Sequence, residues 1–123
     1  MSIYTIFQNI TAAQTVSAIS QHGGSNRAVD VPFPLGSSNP PSYQTWVLTV
    51  STPQPGVSVS ASAQPCGSND GVNWVTINNP ISAASAPNIA LIALTTNLQF
   101  KYYGAYLTAI SGAGATANMT ISV

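Results

Sequence analysis

In the run Val57-Ser58-Val59-Ser60-Ala61-Ser62-Ala63-Gln64 every odd position is apolar and every even one polar. A period of two belongs to a strand with one face buried and one wet, whereas a helix needs its apolar stripe every 3.6 residues. Gln44 to Val50 repeats the pattern, with Trp46, Leu48 and Val50 on one face and Thr45, Val47 and Thr49 on the other. Val72 to Ile77, Ile89 to Thr95, Phe100 to Ile110 and Ala115 to Val123 read as further strands, rich in β-branched and aromatic residues between Gly, Pro, Asn and Ser breakers. Tyr4 to Gln8 and Thr15 to Ser20 add two more.

Helix formers are scarce, since Glu is absent and Lys occurs once, while the nine Gly and nine Pro fall as punctuation. Pro80-Ile81-Ser82 and Ser85-Ala86-Pro87 are expected to form a loop, and Pro53-Gln54-Pro55-Gly56 the turn of a hairpin. Short strands at regular spacing imply an all-β fold, an antiparallel β-sandwich or jelly-roll-like single domain. Residues 41–123 form its core. Residues 1–40 are an N-terminal segment that is either part of the sandwich or an arm, with Gly36 to Ser42 a loop before the first strong strand.

Charge narrows the function. A chain of 123 residues ordinarily carries roughly 30 Asp, Glu, Lys and Arg, and this one has four: Arg27, Asp30, Asp70 and Lys101. Two cations cannot neutralise enough phosphates for nucleic-acid binding or hold an anionic membrane. Disorder does not fit either, because the chain is 45% hydrophobic and formally neutral. Residues 1–9 lack the basic and apolar regions of a secretory signal, and the run Ile89 to Leu94 is far short of the ~20 residues needed to span a bilayer. The expectation is a protein made soluble in the cytoplasm.

Chemistry is thinly equipped. One His, one Cys and two carboxylic acids leave no sequence motif for a nucleophile, a phosphate loop or a metal. Catalytic, cofactor and metal residues are therefore expected to be none, and the protein not to be an enzyme. The segment Gln21 to Arg27, with His22, reads as a glycine-rich surface loop. Cys66 has no partner for an intrachain disulfide and reads as a semi-buried or turn-proximal thiol. Asn69-Asp70-Gly71 reads as a tight turn in preference to a calcium loop, which would gather several carboxylates.

That turn begins the most recognisable stretch. Gly67-Ser68-Asn69-Asp70-Gly71-Val72-Asn73-Trp74 follows an alternating strand and precedes Phe100-Lys101-Tyr102-Tyr103-Gly104-Ala105-Tyr106-Leu107-Thr108-Ala109-Ile110, a Gly-rich hairpin at Ser111 to Thr116 and a final alternating strand. Over residues 44–123 this order resembles small β-sandwich structural proteins of tailed bacteriophages. Two positions depart from the pattern: Pro65-Cys66, where a bulge is expected, and Gly104, where a basic residue is common.

Trp74 is expected to be the buried core anchor, the rival being an exposed indole that stacks on a sugar. Phe100, Tyr102, Gly104 and Tyr106 should share one strand face and Tyr103, Ala105 and Leu107 the other, so that both faces are covered. Trp46, Trp74, Asp70, Gly71, Tyr102, Tyr103 and Tyr106 are the structural or interface candidates. The resemblance implies a virion protein, first a capsid decoration (cement) protein bound to the major capsid protein or another virion protein. A homo-oligomer is expected, with a trimer favoured, because a surface so poor in charge lacks the usual protection against association. The alternatives are a tail, neck or baseplate component and a carbohydrate-binding module.

Overall fold

The computed structural model describes residues 3–20, 26–30 and 43–123. His22 and the Gly36 to Ser42 loop lie outside the described residues. The strands in chain order are β1 (Ile3–Ile10), β2 (Ile19–Ser20), β3 (Asn26–Arg27), β4 (Val29–Asp30), β5 (Gln44–Ser51) and β6 (Ser58–Ser68). They continue with β7 (Val75–Thr76), β8 (Ile81–Pro87), β9 (Ile89–Thr96), β10 (Tyr102–Ser111) and β11 (Thr116–Ser122). Among the described residues a single 3-10 turn, Val16–Ala18, stands where the first half of the Thr15 to Ser20 strand is expected.

Two sheets pack face to face. One runs β2-β3-β1-β11-β5-β9; the other runs β4-β10-β6-β7, with β8 also paired to β6. Among the described residues all pairings are antiparallel except the two-residue contact of β2 with β3. The fold is thus an all-β sandwich, and the period-two pattern explains it. Trp46, Leu48 and Val50 from β5, Ala117, Met119 and Ile121 from β11, and Val59, Ala61 and Ala63 from β6 all point into one core. The N-terminal strand joins them, placing Ile6 and Phe7 in that core and pairing with β11 from Ile3↔Ser122 onward.

Three connections differ from the expected ones. Residues 81–87, expected as a loop, form β8, because Ile81 and Ala83 bury on the core side while Ser82 and Ala84 face outward. Pro53 to Gly56 is not a hairpin turn, since β5 and β6 lie in different sheets and the chain crosses between them. The Gly-rich segment between β10 and β11 crosses in the same way. A local sequence announces that the chain reverses, but which sheet receives the next strand depends on distant partners.

Pro65-Cys66 makes no bulge. Strand β6 pairs continuously with β10 through Ala105↔Pro65 and Gly104↔Cys66, and the register shift falls between Leu107 and Ala109. Pro65 is tolerated because the β8 ladder reaches only Ala63 and the β7 ladder begins at Cys66. Its missing N–H therefore falls where the neighbouring strand changes, while its carbonyl accepts from the Ile77 N–H at 2.8 Å.

Candidate functional site

At the end of β6 the Asp70 turn is held by its own donors. Asp70 Oδ1 accepts from the Val72 and Asn73 amides, each at 2.8 Å, and from the Ser68 hydroxyl at 2.9 Å. Oδ2 accepts from the Asn73 side-chain amide at 2.7 Å. The Ser68 oxygen in turn accepts from the Gly71 N–H at 2.9 Å, and Gly71 sits at φ 77°, a left-handed value that glycine adopts without a Cβ penalty. The Asn73 and Val72 amides, then the Asn73 side chain and Ser68, hold the Asp70 carboxyl well below the usual carboxylate range. Both of its oxygens thus serve the turn. Among the described residues no three His, Cys, Asp or Glu side chains come together.

The turn delivers Trp74 onto the outer face of β10. A Cβ at Gly104 would lie 2.8 Å from Ile19 Cγ2 and 3.2 Å from Trp74 Cζ3, so the glycine is what lets both side chains settle on the strand. Trp74 is half-buried and lies outside the core, which corrects the expectation that it is the buried anchor. Beside it opens a cleft of about 450 Å³, rimmed by Val16 and Val72 and lined by Ile19, Asn73 and Trp74.

Trp46 holds the place expected for Trp74. It is fully buried, its Nε1 donates to Thr96 Oγ1 at 3.0 Å, and its ring meets Tyr103 edge-on at 6.0 Å. Thr96 Oγ1 is also hydrogen-bonded to the Gln44 side chain at 2.8 Å. The Tyr103 hydroxyl donates to the Leu98 carbonyl at 2.9 Å and accepts from the Phe100 N–H at 3.1 Å. Burial raises the Tyr103 pKa against the opposing hydrogen bond from Phe100.

Tyr103, Ala105 and Leu107 share one face as expected, and it is the one turned to the core, while Tyr102 and Tyr106 lie on the other side, buried and half-buried. Lys101 Nζ sits 5.3 Å above the Tyr102 ring. Phe100 departs from the expected face. It precedes the strand, turns inward and packs edge-on to Tyr103 over Gly67, where no side chain would fit. Cys66 is buried within β6, and loss of hydration pushes its thiol up to about 11, so it is protonated at neutral pH.

No protein-family model matches the chain, and no curated protein or solved structure matches it either.

Sequence reasoning missed one polar cluster. Gln14 and Asn26 plug the edge of β10 beyond its short pairing with β4. The Gln14 N–H donates to the Leu107 carbonyl at 2.6 Å, the Leu107 N–H donates to Gln14 Oε1 at 3.1 Å, and Asn26 Nδ2 donates to the Ala105 carbonyl at 2.6 Å. The two amides also bond each other at 2.9 and 3.1 Å. Together they satisfy strand groups that would otherwise be bare. Nothing in the local pattern around Gln14 marks it for this role, because the partner lies 93 residues away.

Proposed function

We propose that the chain is a non-enzymatic structural protein of a virion, made in the host cytoplasm and serving as a capsid decoration protein that ties neighbouring capsid subunits together. The observation that carries this is the outer face of β11, β5 and β9 in the first sheet. There Thr45 lies between Ser122 and Thr95, and Thr49 between Asn118 and Leu91, so hydroxyls, amides and small apolar groups form a surface with no charged side chain. Such a face suits broad contact with other subunits, through apolar burial and neutral hydrogen bonds. The partner is the major capsid protein or another virion protein, and the chain acts as a homo-oligomer.

The test is rebinding of purified protein to particles stripped of it. Binding should change little between low and high salt, because few charge pairs are available to be screened, and occupied particles should survive higher temperature than bare ones. Collapse of binding in modest salt would overturn the interface argument. Incorporation at the tail, neck or baseplate instead of the head would reassign the location. A carbohydrate-binding module is favoured only by the half-buried Trp74 beside its cleft; polysaccharide binding lost in a folded Trp74→Ala variant would establish it.

A further inference from the structure

The two flanks of the sandwich end differently. On one flank the sheets end in β2 and β3 and in β4, each two residues long, with Arg27 and Asp30 exposed on them and Gln14 and Asn26 plugging the adjoining edge of β10. Short edges, charges and covering groups are the devices by which sheet proteins prevent edge-to-edge pairing. The opposite flank has none of them along its longest edge. It consists of β9 in the first sheet and of β8 and the two-residue β7 in the second, and residues 81–96 contain no charged side chain.

Strand β9 closes the first sheet. Its eight residues pair with β5 from Gln44↔Thr96 to Ser51↔Ile89 without a register shift, and among the described residues no strand pairs with its other edge. An interrupted or bulged edge would resist pairing; this one is regular throughout. Ile89 is 54% and Leu91 64% exposed on its outward face. The edge therefore offers both a row of backbone donors and acceptors and an apolar strip beside it.

We propose that β9 pairs antiparallel with β9 of a second copy about a two-fold axis, joining the two six-stranded sheets into one. Directly opposed residues of an antiparallel pair share a face, so a symmetric register must match odd positions with odd and even with even. Centring the axis on Ile92 does this. It sets Leu91 opposite Ala93 and Ile89 opposite Thr95 on the outer face, with Ala90 opposite Leu94 on the inner one. Every such pair is apolar or hydroxyl-bearing, and no like charges meet across the axis. A second copy is the occupant because the edge is neutral, regular and complementary to itself, and because a two-fold contact of this kind closes after two copies. The building unit is then a dimer in place of the trimer expected from composition. This concerns the chain alone and stands whether or not it decorates a capsid.

Sedimentation of the purified chain from low to high micromolar concentration tests it. The wild type should form a dimer. Leu91→Lys and Ile89→Lys, both at exposed positions, should sediment as monomers while keeping the wild-type circular dichroism. Val72→Lys, equally exposed but on the Asp70 turn, should remain a dimer. A wild-type monomer across the range, or an oligomer that persists in both folded β9 variants, would overturn the proposal.

Discussion

The carbonyl of Asn88 accepts a hydrogen bond from the Thr52 amide at 3.0 Å, which ties the corner between β8 and β9 to the crossing between β5 and β6. The same asparagine reaches further. Its N–H donates to the Val57 carbonyl at 2.8 Å, its Nδ2 donates to the Gln54 carbonyl at 2.7 Å, and its Oδ1 accepts from the Gly56 N–H at 3.2 Å. Thr52 Oγ1 donates to the Ala113 carbonyl at 2.7 Å, binding in the third crossing. Three sheet changes thus share one knot.

Asn88 adopts φ 66°, a conformation asparagine tolerates better than other side chains. Asn88→Ala should cost about 2–3 kcal/mol, from the left-handed backbone and two lost side-chain hydrogen bonds. Asn88→Gly removes only the bonds and should cost about 1–2 kcal/mol. Urea unfolding of the two variants measures the difference.

Trp46→Ala should lose about 3–5 kcal/mol, as other large-to-small core changes do. Trp74→Ala should lose distinctly less, because the indole is half-buried on an outer face. Thermal unfolding of the pair ranks them, and equal losses would contradict the placement of Trp46 as the anchor.

Gly104→Ala introduces a methyl group against Ile19 and Trp74 and should destabilise by about 1–3 kcal/mol. Trp74 fluorescence should shift in the folded variant, because the added methyl displaces the ring from its seat.

What the alternation made legible was the half of each strand that faces the core. β5 and the first part of β6 follow directly from it, and so does the grouping of Tyr103, Ala105 and Leu107 on one face of β10, though not that this face is the inward one. The Asp70 turn was legible too, since Ser, Asp and Gly at those positions carry local hydrogen bonds and a positive φ. Strand β8 was not, because Pro, Ser and Ala resemble a loop until Ile81 and Ala83 find the core. The choice between Trp46 and Trp74 was equally hidden. Both sit among β-formers, and only the packing of Gly104 against Ile19 shows which indole stays outside.

The Asp70 carboxyl titrates below its unfolded value, so the unfolded chain binds the proton more readily as acid is added. The turn's contribution is fully present above the ordinary aspartate pKa of about 4 and is lost as pH falls through the depressed folded value. Acid titration of stability should show this loss in the wild type, and Asp70→Ala should flatten it.

Cys66 behaves in the opposite direction. Its folded pKa of about 11 exceeds that of an exposed thiol, so its stabilising effect is complete below about 8.5 and is lost as pH rises toward the folded value. Cys66→Ala should reduce the alkaline loss of stability. In the native wild type a thiol-specific reagent should react at the rate of unfolding, because the sulfur is buried.

Strand β11, the last in chain order, lies in the interior of the first sheet, between β1 and β5. As the chain leaves the ribosome, β5 and β9 can find each other early, but β1 has no neighbour to join them until residues 116–122 arrive. Strand β11 is thus the keystone of that sheet. Until β11 is inserted, Ile6, Phe7 and Trp46 have no complete wall to close over them, and β1 and the β5–β9 pair stay unjoined however early each forms.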